Sequence, residues 1–381
     1  YLPTGRKVVA EDVSYLTFHG SHDGDVTSFH GLRIYDRLRF TDSDRFNFKS
    51  AIYVYRANHG QWNSVWGPND NGPRSARILD LRGLIPTEDQ KRFAELYVSA
   101  FLEVVLRDDR RYLPMFRDHR VIGEWLPQTM YVTRFETSAL RPLVTYEEDI
   151  DVTTGTETGV RLRGEGLASW KEADLLLRSS NRNNTSASQE NQVAFVGWND
   201  GEGVSSGSPA RYVVELPEDL ATRWHVREDQ VVKFLLAPTH DVPDPPETEG
   251  AAGDDAAGEP EEDVDEDLPP VDLTLEIADA AGRAARVTLS DYGAVRRPLE
   301  TWVMRRRDQE RDRFQEHWEV ILQTYAIPLS DFVAVQPALD LSNLREIRFV
   351  FDGAPAGEIV LDQIGLSRLD PAFLSARVDG S

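Results

Sequence analysis

The stretch Leu16-Thr-Phe-His-Gly-Ser-His-Asp-Gly-Asp-Val26, with Ala57-Asn-His-Gly-Gln-Trp-Asn63 after it, decides how the first third of the chain folds. Each segment leaves a short apolar run, Val13–Phe18 in the first case and Ala51–Tyr55 in the second, bounded by polar loops as buried parallel strands are. Phe29–Leu38, between them, has room for a helical turn or two. Further on, Pro86-Thr87-Glu88 opens a helix, with Thr87 placed to cap, acids in the first turn and Gln90 at capping-box spacing. Phe93, Leu96, Tyr97, Ala100, Phe101, Val104 and Val105 recur at three and four, so one face of that helix is continuously apolar. A long amphipathic helix at this point is suited to cover the edge of an α/β sheet.

The chemistry lies in the two turns. An acid at Asp23, just past the first strand, can accept the Nδ1 proton of a histidine and stabilise the imidazolium; Asp25 competes for that role from further along the turn. His59 follows the second strand, and Gly60 leaves room beside its imidazole, which can take a proton from a hydroxyl and return it to a leaving alcohol. Trp62, Trp66 and Asn58 flank it as candidate walls of a substrate pocket. The same residues, with the Pro86–Leu106 helix behind them, resemble the end of an α/β-hydrolase catalytic domain. The flavour is that of the dienelactone-hydrolase, platelet-activating-factor-acetylhydrolase and cutinase-like branch. The resemblance covers about residues 1–111 and implies Asp23 as triad acid, His59 as base and an ester as substrate, small or polymeric. In that family the nucleophile precedes the acid, and here the acid stands at residue 23 of a chain that opens on Tyr1. The expectation is therefore the C-terminal piece of a longer enzyme, with its serine in a missing N-terminal hydrolase portion. Gly203-Val204-Ser205-Ser206-Gly207 matches G-x-S-x-G by letter, but no helix follows it to supply backbone amides, and Ser205 is not taken as the nucleophile.

The 381 residues carry a net charge of −23, which is unevenly spread. Asp241–Pro270 holds thirteen acids and no base, leaving about −10 on the other 351 residues. Without a basic face, nucleic-acid binding is excluded as an expectation. No apolar run reaches the length of a membrane span. The absence of cysteine removes disulfides and thiolate chemistry. No metal or cofactor is expected, and the compartment is left open with a lean towards an extracytoplasmic one.

From about Gly123 the texture becomes β-rich. Short runs separated by Gly, Asn, Asp and Pro follow one another: Met130–Phe135, Gly159–Arg163, Gln192–Gly197, Arg211–Leu216, Val231–Ala237, Val271–Ile277, Ala285–Leu289, Trp318–Ile327, Arg345–Phe351 and Glu358–Leu366. That pattern argues a β-sandwich or jelly roll. The last strands resemble those of galactose-binding-like and carbohydrate-binding sandwiches, which implies a glycan as a second partner; some such sandwiches hold a structural calcium, to which Asp352 or Asp362 would be the donors here. The expected fold class is α/β plus all-β, a partial α/β-hydrolase sheet with a closing helix and then a galactose-binding-like sandwich. Residues 1–111 form the first part, 112–129 a connector, 130–370 the sandwich with a disordered acidic insertion at 241–270, and 371–381 a tail. The rival to the ester hydrolase is a non-catalytic carbohydrate-binding or supporting protein built on a hydrolase remnant.

Overall fold

A computed structural model describes residues 9–26, 29–42, 44–70, 78–176, 188–200, 208–244, 270–313 and 317–368. Ser205 and most of the acidic insertion lie outside the described residues.

The first block is a three-stranded sheet, ordered β1 (Tyr15–Gly20), β2 (Phe48–Val54), β3 (Tyr131–Thr137). β1 and β2 run parallel, and β3 returns antiparallel to β2. Helix α1 (His30–Arg37) connects the parallel pair. Helix α2 (Thr87–Arg107) and the short α3 (Leu113–Arg117) precede β3. β2 is buried along its whole length, as a central strand must be. Its alternation sends Phe48, Ile52 and Val54 towards Phe93, Tyr97, Ala100 and Val104 of α2. The opposite face, Ala51 and Tyr53, meets Leu32 and Tyr35 of α1.

The strand expected to open the sandwich, Met130–Phe135, instead pairs with β2 throughout as β3. The sequence shows that it is a strand but not which sheet it joins, because its partner lies some eighty residues earlier, about as far as the whole α2–α3 excursion. The capping at α2 also differs. Pro86 takes the N-cap position and no side chain caps the helix. Thr87 donates to Gln61 Oε1 at 3.0 Å, and Gln90 is buried against the loop after β2.

The remaining strands build two antiparallel sheets face to face. In chain order they are β4 (Arg141–Val144), β5 (Arg161–Glu165), β6 (Ser169–Leu176), β7 (Ser188–Asn199), β8 (Arg211–Glu215), β9 (Gln230–Pro238), β10 (Thr274–Asp279), β11 (Ala284–Thr288), β12 (Leu299–Glu300), β13 (Trp318–Glu319), β14 (Gln323–Pro328), β15 (Leu344–Val350) and β16 (Ala356–Arg368). One sheet is ordered β11-β10-β15-β8-β5; the other is β14-β9-β16-β7-β6, with β4 also on β16. β12 and β13 form a separate pair. The chain therefore contains a β-sandwich. Its core interdigitates Val232, Phe234 and Leu236 from one sheet with Tyr212, Ile347 and Phe349 from the other. β9 and β10, on either side of the acidic insertion, belong to opposite sheets of this sandwich. The approaches to the insertion come close together: Asn199 Nδ2 donates to the Pro243 carbonyl at 2.8 Å, and Val271 packs at Gly357, which pairs with Trp198.

The outer face of the six-stranded sheet does not face solvent where the first block covers it. Arg134 on β3 contacts Asp36 of α1 at 2.5 Å and Asp362 of β16 at 3.8 Å. Glu136 lies between Lys49 at 3.2 Å and Lys233 of β9 at 3.8 Å. A bulge in β16, with Gln363 at φ 48°, turns both Asp362 and Gln363 to this side: Asp362 accepts from Asn191 at 3.0 Å and Gln363 from Lys233 at 2.8 Å. Asp362 is thus spent on the joint between the two blocks, not on the calcium site suggested by the resemblance.

Glu319 on β13 sits in the same joint, 4 % exposed, and accepts a hydrogen bond from the Tyr53 hydroxyl of β2. Burial pushes its carboxyl well above the usual range. A carboxyl raised in the folded state binds its proton more tightly there than in the unfolded chain. Its contribution is therefore intact below the unfolded value and is lost as pH climbs, at up to about 1.4 kcal/mol per pH unit. Glu319→Gln is expected to flatten this slope: denaturant titrations between pH 5 and 8 should show the variant gaining on the parent as pH rises. Parallel stability curves would remove Glu319 as a buried neutral acid.

Candidate functional site

The site grows from the way β1 and β2 end. The Ser21 amide continues the parallel ladder to the Val54 carbonyl, and the His22 amide bonds to the Ala57 carbonyl at 2.8 Å. At Gly20 a Cβ would stand 2.5 Å from the Ala57 oxygen, so only glycine allows the two strand exits to run this close. Both turns emerge side by side from the C-terminal ends of adjacent parallel strands.

This places Asp23 and His59 together. His59 Nδ1 lies 3.0 Å from Asp23 Oδ2, while Asp23 Oδ1 accepts from the Asp25 and Val26 amides at 3.0 and 2.7 Å. Asp23 is buried at 5 % exposure, and the His59 side chain keeps 29 %. With Nδ1 donating to the carboxylate, the neutral imidazole presents Nε2 as an acceptor on its open side. Asp25, the competing acid, approaches Nε2 instead, at 4.0 Å and outside hydrogen-bond reach. No serine among the described residues is bonded to Nε2. The hydrogen bond to Asp23 raises the His59 pKa above its ordinary value; burial opposes the rise, and the charges of Asp23, Asp25 and Asp70 add to it.

Two residues that the motifs do not reveal hold the loops in place. Asp70, 1 % exposed, accepts from the Gly24 amide with Oδ2 at 2.9 Å and from the Gly60 amide with Oδ1 at 3.0 Å. One carboxylate thereby ties the acid's turn to the histidine's turn, at the residue following each. A Cβ on Gly60 would meet the Gly67 carbonyl at 2.2 Å and the Asp70 backbone at 3.0 Å, so the glycine is there for this approach. Burial raises the Asp70 pKa, and its two amide hydrogen bonds work against that. Gln90, from α2, clamps the residue before the histidine: it accepts from the Asn58 amide at 3.2 Å and donates to the Asn58 carbonyl at 2.8 Å. The signals for both were present but weak, an aspartate closing the turn-rich Gly67-Pro68-Asn69 and a glutamine on an otherwise apolar helix face.

Of the expected pocket residues, only Trp66 stands open beside the imidazole, with its ring stacked on His59 at 5.5 Å and 46 % exposed. Asn58 is buried at 1 %, its amide side chain bonded to the Pro68 carbonyl and the Gln61 amide, so that it braces the loop. Trp62 packs beneath the loop against Phe18 and Phe93 at 5.7 and 5.9 Å. Among the described residues no group of three His, Asp or Glu gathers as metal ligands, and no helix is long and apolar enough to cross a membrane. The pairing has a direct test: Asp23→Asn should lower the His59 pKa, followed by NMR titration of the ring protons, and Asp25→Asn should lower it less. An unchanged titration in Asp23→Asn would contradict the hydrogen bond as the main cause.

No protein-family model matches the chain, and the search of curated proteins found no match. Solved structures give remote likenesses. One is the family 11 carbohydrate-binding module of a cellulosomal cellulase of Clostridium thermocellum, at 12 % identity and TM-score 0.28, covering 60 % of this chain and 95 % of that one. Another is a family 30 carbohydrate-binding module, at 12 % and 0.28, covering 52 % and 75 %. A third is an exo-beta-agarase, at 8 % and 0.35, covering 62 % and 26 %. Likenesses this loose carry no argument about the present chain, whose β-sandwich is established by its own strand pairing.

Proposed function

We propose that Asp23 and His59 are the acid and base of a serine hydrolase acting on carboxylic esters, with the nucleophilic serine supplied by sequence preceding residue 1. The observation that carries this reading is the 3.0 Å contact between His59 Nδ1 and Asp23, made at the C-terminal ends of adjacent parallel strands with Nε2 left open. In the proposed cycle the serine attacks the ester carbonyl while His59 Nε2 takes its proton. The imidazolium is stabilised by Asp23 and returns that proton to the departing alcohol. Water then adds to the acyl-enzyme with His59 again as base, releasing the acid and restoring the serine. Trp66, stacked on the imidazole, is placed to shield it from solvent and to border the acyl or alcohol group.

The rival reading, a non-catalytic glycan-binding protein, rests on the sandwich alone, and that architecture serves many functions. Two measurements separate the readings. This chain by itself should not turn over p-nitrophenyl esters, whereas a longer form carrying an upstream strand, G-x-S-x-G and helix should, and His59→Ala should remove at least about 10³-fold of that activity. Hydrolysis by this chain that disappears in Ser205→Ala would overturn the assignment of the nucleophile. An inactive longer form, together with retardation of this chain in gels containing soluble polysaccharide, would favour the rival.

A further inference from the structure

At the opposite end of the first sheet from His59, a cavity of about 250 Å³ opens between α3, the end of β3, and strands β9, β14 and β16. It lies where Phe48 pairs with Thr137, so the length of β2, roughly 20 Å at strand rise, separates it from the two turns. Its walls are apolar, formed by Phe46, Leu113, Pro114, Phe135, Val231 and Ala326. Its charged lining is four cations, Arg110, Arg117, Lys233 and Arg368, against the single acid Glu136. In a chain with 65 acids and 42 lysines and arginines this is a local inversion of charge.

The cavity is braced on both sides of the joint. Arg117 donates to the Ala326 carbonyl at 3.3 Å, and Thr324 Oγ1 accepts from the Phe135 amide at 2.8 Å. Lys233, with only 5 % of its side chain exposed, has Gln363 Oε1 at 2.8 Å and Glu136 at 3.8 Å, beyond a hydrogen bond. An ammonium group has three protons to donate, and a buried cation gains most from a carboxylate that reaches it directly. Glu136 is itself shared with Lys49 at 3.2 Å. Arg110 is paired outside the cavity with Asp108 at 2.9 Å and lies over the Phe46 ring at the mouth.

We propose that this cavity is a binding site for a small organic carboxylate with an apolar body, its carboxylate set against Lys233 and Arg117 and its body against the Phe46–Phe135–Leu113 wall. The volume falls just below the range that holds drug-sized ligands, which limits the guest to a short acyl chain or a single ring. The charge pattern selects an anion, and the apolar walls favour one with an apolar body over inorganic phosphate, which has nothing to set against them. The site does not depend on the ester-hydrolase reading.

Isothermal titration calorimetry of the whole chain with sodium octanoate tests it, with octylammonium and inorganic phosphate as controls. The expected result is saturable one-to-one binding of octanoate alone, weakened at least tenfold in Lys233→Met and abolished in Ala139→Trp, which blocks the exposed rim without entering the core. Should Lys233→Met fail to fold by circular dichroism, Arg117→Gln takes its place and should weaken binding in the same direction. His59→Ala should leave the affinity unchanged, which keeps this test apart from the fate of the hydrolase reading. No saturable heat at millimolar octanoate, equal affinity in the parent and the variants, or equally tight octylammonium binding would each overturn the proposal.

Discussion

The arrangement of both blocks depends on a buried ionic layer between them. Arg134 and Lys233 are 2 % and 4 % exposed, Asp362 is fully buried, and Lys49, Asp36 and Glu136 complete a set of three cations and three acids. Desolvating such charges costs several kcal/mol per ion, and each is tolerated only because opposite charges and hydrogen bonds surround it. Removing one member strands its partners, a loss on the order of 3–5 kcal/mol. Unlike an apolar contact, the layer permits one register: the face of β3 carrying Arg134 and Glu136 must meet the β16 bulge that presents Asp362 and Gln363 together. Tyr35 sits within it, with Lys49 and Arg134 at 4.7 and 4.8 Å from its ring, which also fixes α1.

With the sheet held from that side, the other face and the strand exits are free to organise the two turns. α2 supplies an apolar floor and, through Gln90, a polar grip on the backbone of Asn58. Asp70 then replaces solvent for the amides of Gly24 and Gly60. The Asp23–His59 contact is thereby held by backbone restraints on both partners, so the imidazole is oriented before any substrate arrives.

The sequence was legible where structure follows from local pattern. Ala51–Val54 of β2, Phe93, Tyr97, Ala100 and Val104 of α2 and the alternation of Ile347, Phe349 and Phe351 reappear as core, whereas Val105 is exposed and β2 begins three residues before the apolar run, at Phe48. Asp23 and His59 could be read because each follows a recognisable strand by a few residues. β4 and β6 could not: Arg141-Pro-Leu-Val is too short to show alternation, and Ser169–Leu176 carries the charges of a sheet-edge strand that is buried mainly at Leu175. Gln90 reads as a cap because capping and its actual role both need a glutamine near a helix start. Asp70 and the β16 bulge serve backbone amides and distant charges, and no local spacing records such partners. The sheet membership of β3 is of the same kind.

The ionic layer also has a bearing on how the chain is made. Arg134 leaves the ribosome long before Asp362, which lies near the end of the described chain, and the two meet only across a very long sequence separation, as Glu136 and Lys233 do across a shorter one. Loop-closure entropy makes contacts of that kind slow to form, and chains of this size pass through partly assembled states in which such surfaces are exposed. During synthesis Asp36 can hold Arg134 and Lys49 can hold Glu136, but the contact of Arg134 with Asp362 waits until β16 has emerged and closed the sandwich. Among the described strands, β16, made well after β1, β2 and β3, is then the one that commits their sheet to its position against the sandwich.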